Sequence, residues 1–338
     1  MIRSFFAMIL AVALGQVVPV AAQQAALTIP TVFEAGHFFA VPVTETGQKL
    51  RLFVDTGGGG GSGMYWLSTP AAERLGLKTT TCKVDDTELT VASVPRFKKG
   101  FEIPAPLPER SPCGKTLLVM GELYPEGDGQ LGAGYLPGRV WTFDYPKKRL
   151  VVEGSTWRPS ANAHVASLGF QLDEKGTMTS GFPRLTIQVA GEDLNMLLDT
   201  GATAHQTAIG SKATGEPAVR GEGVTSYITR SMFERWHKDH PEWRVVDKGD
   251  DLFGPEHIMR IIEVPSVQVA GWTIGPVWFT ERPDASFHEF MAQWMDEKPE
   301  GAAGGNIFGH FVMTVDYPNA KAYFRCVTGC KAVNTKRK

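Results

Sequence analysis

The stretches Leu50-Arg51-Leu52-Phe53-Val54-Asp55-Thr56-Gly57 and Leu194-Asn195-Met196-Leu197-Leu198-Asp199-Thr200-Gly201 decide the reading of this 338-residue chain. Each is an apolar, strand-like run that ends in Asp-Thr-Gly. A single copy has a bland explanation, because Asp and Thr both hydrogen-bond neighbouring backbone and cap turns. Two copies call for another. Like charges a few ångströms apart cannot both ionise, so paired carboxylates share one proton, one acting as base toward a water and the other as acid.

Each copy is followed far downstream by a second matching block. Asp128-Gly129-Gln130-Leu131-Gly132 leads to Val140-Trp141-Thr142-Phe143-Asp144-Tyr145-Pro146. Gly305-Asn306-Ile307-Phe308-Gly309 leads to Val312-Met313-Thr314-Val315-Asp316-Tyr317-Pro318. Asp55 stands 89 residues before Asp144 and Asp199 stands 117 before Asp316, so the chain reads as a diverged internal repeat with 28 extra residues in its second unit.

At these residues the chain resembles the pepsin-like and retropepsin-like aspartic peptidases, in which Asp-Thr-Gly and a later apolar-apolar-Gly turn form the crossed loops of each lobe. The resemblance runs from about Phe38 to Phe324. It implies an all-β, bilobal pepsin-like acid-protease fold, two related β-barrel-like lobes with a few short helices. It also implies an aspartic endopeptidase in which Asp55 and Asp199 activate a water against the scissile carbonyl. Thr56 and Thr200 are expected to bond across the lobe junction, while Gly57 and Gly201 let backbone approach the carboxylates. No cofactor and no metal are implied, and the expected partner is a peptide or protein substrate bound by a monomer.

The chain also departs from that family. Ala202-Thr203 after the second motif is a good retroviral-type match, but the first is followed by Gly58-Gly59-Gly60-Gly61-Ser62-Gly63. This run either loosens the first loop or lets something approach it closely. In pepsin-like enzymes a Ser or Thr directly after Asp-Thr-Gly donates to the carboxylate; with Gly58 and Ala202 there, the dyad is expected to keep its proton to higher pH. No Tyr-Gly flap hairpin stands out, and Val91 to Gly100 occupies its place with Phe97 as the only aromatic. Gly58, Gly60 and Gly63 also satisfy the dinucleotide fingerprint, but any glycine run does so trivially and no βαβ alternation follows.

The surrounding pattern is β. Phe38 to Val43 and Leu50 to Val54 read as strands joined around Thr46-Gly47, and Leu185 to Val189 with Leu194 to Leu198 repeats the arrangement. Val267 to Val269 is expected to form a third hairpin with Val277 to Phe279 around Gly271. Thr69 to Gly76 has a cap, an early Pro and a terminating Gly, which predicts a short helix. Ser231-x-x-Glu234 and Ser286-x-x-Glu289 are capping-box patterns that start two further helices and account for the extra length of the second unit. Phe287, Phe290, Met291 and Trp294 fall at helical spacing and are expected to pack on the second lobe.

Arg3 and the apolar stretch Phe5 to Val20, followed by Ala21-Ala22, read as a signal peptide over residues 1–22, removed after Ala22. The mature part then divides into an N-terminal lobe, residues 23–160, and a C-terminal lobe, residues 161–338. An exported protein, periplasmic or secreted, with no stable membrane insertion is expected. Cys82 and Cys113 in the first unit and Cys326 and Cys330 in the second suit pairing within each set, although four cysteines allow three connectivities. The short Cys-x3-Cys supplies only two ligands without clustered His, which argues against zinc. With 34 basic and 36 acidic residues, and no Lys/Arg run apart from Lys336-Arg337-Lys338, the composition gives nucleic-acid binding no support.

His205, near the second motif, reads as a surface or packing residue rather than one that tunes Asp199, and His237 and His240 lack a third metal ligand. Two rivals use the same residues. One is a catalytically silent peptide- or protein-binding module whose first loop the glycine run has spoiled. The other is a sugar hydrolase, which needs its carboxylates about 5 to 9.5 Å apart.

Overall fold

The structure, a computed structural model, describes residues 25–59, 63–121 and 127–333. The expected signal peptide lies outside them, as do Gly60, Gly61 and Ser62 of the glycine run.

The first unit is built on an eight-stranded sheet. Its middle runs Leu52–Val54, Gly129–Leu131, Trp66–Ser68 and Thr116–Met120, with Val54 opposite Leu131 in a parallel pair and Trp66 opposite Leu118 in another. The second unit repeats this order with Glu192–Leu198, Gly301–Ala303, Ser226–Thr229 and Val277–Arg282. Leu198 stands opposite Ala303 in a parallel pair, and Ser226–Thr229 runs parallel to Val277–Arg282. Purely apolar strands such as Leu52-Phe53-Val54, buried throughout, suit central positions in a sheet covered on both faces.

A second layer joins the units. Leu27–Ile29, Arg149–Val152, Val140–Asp144, Phe311–Asp316, Lys321–Cys326 and His164–Gly169 lie side by side in that order. The two Asp-Tyr-Pro blocks pair antiparallel at its centre, with Thr142 opposite Thr314 and their hydroxyl oxygens 2.8 Å apart. Trp141, Phe143, Met313 and Val315 of this pair are fully buried, so the layer is core to both units.

Several expectations need correcting. The structural counterpart of Gly129-Gln130-Leu131-Gly132 is Gly301-Ala302-Ala303-Gly304, not Gly305 to Gly309, of which Gly305–Phe308 forms a short helix. A side chain at Gly129 would collide with the Trp66 carbonyl, and one at Gly301 with the Tyr227 carbonyl, so the same close approach fixes a glycine in each unit. Val267–Val269 makes its hairpin with Trp272–Ile274, while Val277–Arg282 is a central strand. The hairpin in the expected flap region is Thr79–Val84 with Thr87–Ser93, turning at Asp85-Asp86, rather than Val91 to Gly100.

The helices differ as well. Thr69–Arg74 forms as expected, capped by the Ser68 hydroxyl. Arg230–Asp239 starts one residue before Ser231 and has no capping box; the Ser231 N–H is taken by Asp284 Oδ1. This helix is no insertion, because Ser68 and Thr229 precede the two helices at matching strand positions. Trp66 lies 11 residues after Asp55 and Tyr227 lies 28 after Asp199, so most of the extra length sits before Tyr227, where the helix Ala208–Thr214 and the pair Thr203–His205 with Glu222–Val224 are found. Ser286–Phe290 is a π-turn followed by a 3₁₀ turn, Met291–Trp294. That winding splits the expected face: Phe287 and Met291 are buried, whereas Phe290 and Trp294 are exposed.

Disulfides join Cys82 to Cys113 and Cys326 to Cys330, so the pairing within each set is the one adopted. Among the described residues no helix is long and apolar enough to cross a membrane.

Candidate active site

Asp55 and Asp199 leave their buried strands through equivalent hydrogen bonds, Asp55 N–H to the Leu131 carbonyl at 3.0 Å and Asp199 N–H to the Ala303 carbonyl at 2.9 Å. The two loops then meet. The Thr56 N–H donates to Thr200 Oγ1 at 3.1 Å and the Thr200 N–H to Thr56 Oγ1 at 2.9 Å. Each hydroxyl donates in turn to the strand that delivers the other aspartate, Thr56 to Leu198 O at 2.6 Å and Thr200 to Val54 O at 3.0 Å. Both threonines are buried, so water does not compete for these four bonds.

The lock sets the carboxyls against each other, within hydrogen-bonding reach. A side chain at Gly57 would run into the Asp199 carboxyl and one at Gly201 into that of Asp55, which is why both positions are glycine. Gly57 N–H donates to Asp55 Oδ1 at 2.7 Å and Gly201 N–H to Asp199 Oδ1 at 2.9 Å. Thus the six motif residues singled out from the sequence come together in one nearly symmetric cluster.

Beyond these bonds the symmetry stops. Gln130 Nε2 donates to Asp55 Oδ2 at 2.5 Å, and Trp66 Nε1 donates to Gln130 Oε1 at 3.0 Å. Among the described residues Asp199 has only backbone donors, from Gly201 and Ala202. Burial raises the Asp55 pKa, with hydrogen bonds from Gly57, from Asp199, from Gly58 and, least, from Gln130 pulling the other way. Asp199 is raised well above the carboxylate range, first by burial and then by the charge of Asp55. Burial and mutual repulsion thus favour a pair that shares one proton, Asp199 being the more strongly raised member.

The glycine run allows close contact where it is described. Gly58 O accepts from Ala133 N–H at 2.7 Å and Gly59 O from Gly134 N–H at 3.3 Å. In the second loop Thr203 Oγ1 donates to Gly201 O at 2.8 Å and lies 3.1 Å from Nε2 of the buried His37. Burial lowers the His37 pKa to about 4, so the ring is neutral. Tyr227 secures the same loop, accepting from Thr203 N–H at 2.7 Å and donating to Thr203 O at 2.5 Å. His205 pairs with Asp251 and is 3.1 Å from Arg220 O, in the packing role expected of it, and His240 stacks on Trp243.

A recess of about 190 Å³ opens beside Asp199, walled by Leu197, Tyr227, Phe253, Phe287 and Met291. Arg282 stands at its back, held by Asp250 at 2.7 Å with both side chains buried.

Nothing in the sequence motifs singles out Trp66, His37 or Tyr227, and Gln130 stands in them only as part of a turn. A polar residue where the family turn is apolar was the available signal for Gln130; the other three give none.

No protein-family model matches the chain, and no curated protein sequence does either. Among solved structures it is similar to the aspartic proteinase from Irpex lacteus, at 11% identity, with 90% of this chain and 98% of that one covered and a TM-score of 0.50. It also matches basic 7S globulin from soybean, at 8% identity, 90% and 95% coverage and a TM-score of 0.45. Conglutin gamma, a basic 7S globulin from lupine seeds, matches at 9% identity, 90% and 96% coverage and a TM-score of 0.45. The chain has the bilobal, all-β pepsin-like fold.

Proposed function

We propose that this chain is an aspartic endopeptidase of the pepsin-like family that acts on peptide or protein substrates outside the cytoplasm. The observation that carries the reading is the contact between the Asp55 and Asp199 carboxyls inside the reciprocal threonine lock. A sugar hydrolase needs its carboxylates about 5 to 9.5 Å apart, and the close approach of each carboxyl to the opposite motif glycine argues against so open a site. Rigid loops suit proton sharing, because the geometry tolerates little drift.

In this reading the Asp55 carboxylate takes a proton from a water as its oxygen bonds to the scissile carbonyl carbon. Asp199 gives its proton to the carbonyl oxygen, and a tetrahedral diol results. The proton on Asp55 then passes to the amide nitrogen, the C–N bond breaks, and Asp199 recovers a proton from the diol. The recess beside Asp199 suits an apolar or aromatic substrate side chain. The two disulfides fit an oxidising, extracytoplasmic compartment.

The test incubates the protein, from which residues 1–22 are omitted, with a peptide library across pH, beside Asp55→Asn and Asp199→Asn. Cleavage by the parent that either substitution lowers at least about a thousandfold supports the reading. No cleavage at any pH, with a folded protein, leaves the silent binding module in its place.

A further inference from the structure

We propose that Gln130, oriented by Trp66, is a positioning residue that supplies Asp55 with the side-chain donor missing from its own loop and so makes Asp55 the ionised member of the pair. The proposal rests on the peptidase reading for its catalytic meaning, but the bond itself can be tested apart from it.

An indole N–H can only donate, so the Gln130 atom facing Trp66 is the amide oxygen. The NH₂ group is therefore left facing Asp55 Oδ2. Turning the amide over would set NH₂ against N–H and oxygen against carboxylate, two repulsive contacts in place of two bonds. Gln130 and Trp66 are 5% and 7% exposed, so little water can relieve such a flip. The amide has one available orientation.

Gln130 also fills the space that a side chain after Asp-Thr-Gly would need. A Cβ at Gly58 would run into Asp55 Oδ2 and stand 2.8 Å from Gln130 Nε2. Glycine at 58 and glutamine at 130 thus form a single arrangement: the donor reaches Asp55 from the neighbouring strand, and the loop residue is cut back to admit it.

The second lobe lacks the device. By strand register the counterpart of Gln130 is Ala302, and Tyr227, the counterpart of Trp66, binds the Thr203 backbone instead. A hydrogen bond to a carboxylate favours its charged form, so the Gln130 donor on Asp55, with no side-chain counterpart on Asp199 among the described residues, biases the division of roles. Asp55 becomes the base toward water, and Asp199 keeps the proton for the carbonyl oxygen.

The experiment compares the pH dependence of kcat/KM on a fluorogenic peptide for the parent, Gln130→Met and Trp66→Phe. Losing the donor should move the acidic limb of Gln130→Met upward by about one pH unit, with a smaller rise in Trp66→Phe, where the amide is freed but present. The basic limb should move less. A general loss of packing would lower the rate at every pH and leave the acidic limb in place, which overturns the proposal. Should the parent cleave no peptide, the peptidase reading fails alone, and ¹³C titration of the aspartate carboxyls, assigned with Asp55→Asn and Asp199→Asn, reads the bond directly. An Asp55 midpoint that rises in Gln130→Met supports it; an unmoved midpoint, or Asp199 as the lower-titrating member, overturns it. If Gln130→Met does not fold, Trp66→Phe decides by the same readouts.

Discussion

Trp66 and Tyr227 hold the same place in the two lobes, each paired against the strand that flanks a catalytic-type loop, yet they support the loops differently. Trp66 stands opposite Gln130 and reaches Asp55 through it. Tyr227 stands opposite Ala302 and bonds both backbone groups of Thr203. In Tyr227→Phe the Thr203 carbonyl keeps Arg282 as donor at 3.3 Å, but the Thr203 N–H loses its partner. An orphaned buried donor costs about 1 to 3 kcal/mol. Urea unfolding at neutral pH should show a loss of that size, and a change within error would mean that the loop is held without the tyrosine.

The threonine lock should fail as a unit. Thr56→Val removes the acceptor of the Thr200 N–H and the donor to Leu198 O, and Thr200→Val removes the mirror-image pair. Each variant should lose about 2 to 4 kcal/mol of unfolding free energy by the cost of buried unpaired groups. Once one side opens, the loops part and the remaining bonds lengthen, so the double variant should lose less than the sum. Strict additivity in a double-mutant cycle would show two independent halves.

His37 ties stability to pH on the acid side. Its folded pKa, about 4, lies below the ordinary value of 6.5, so the folded protein disfavours the charged ring. The stability linked to that neutral ring is complete above about pH 6.5 and is lost as pH falls toward 4. The shift corresponds to about 3 kcal/mol at 1.36 kcal/mol per unit. His37→Gln should lose that much less than the parent between pH 7 and pH 4 in urea unfolding. Equal losses in the two proteins would place the acid sensitivity elsewhere.

The architecture was legible because alternation and repetition are local signals. Leu194 to Leu198 after Leu185, Ile187 and Val189 reads as a hairpin in sequence and forms one, and the doubled Asp-Thr-Gly implies two facing loops. The second-lobe turn is masked in the sequence because Gly305-Asn306-Ile307-Phe308-Gly309 looks more like an apolar turn than Gly301-Ala302-Ala303-Gly304 does. Spacing held the better clue: Gly132 and Gly304 each precede their Asp-Tyr-Pro aspartate by 12 residues. His37, Trp66 and Tyr227 were invisible for a different reason. Each meets the catalytic-type loops only through strand register or across the lobe junction, which no periodicity encodes.

In the peptidase reading, the pH dependence of hydrolysis should be limited on its basic side by Asp199. Gly58 and Ala202 suggested that both carboxylates lack a side-chain donor; Gln130 corrects this for Asp55, and the expectation stands for Asp199 alone. Burial and the Asp55 charge push Asp199 well above the carboxylate range, so the pair should keep its proton, and the protein its activity, into mildly acidic to near-neutral pH. Ala202→Ser places a hydroxyl directly after the motif, where pepsin-like enzymes carry a donor. A hydrogen bond to the charged form lowers the pKa, so the basic limb of the kcat profile should move down by about one pH unit, with the acidic limb nearly still. Circular dichroism at each pH separates this shift from unfolding. A basic limb unmoved or raised in a folded Ala202→Ser protein would show that Asp199 does not set it.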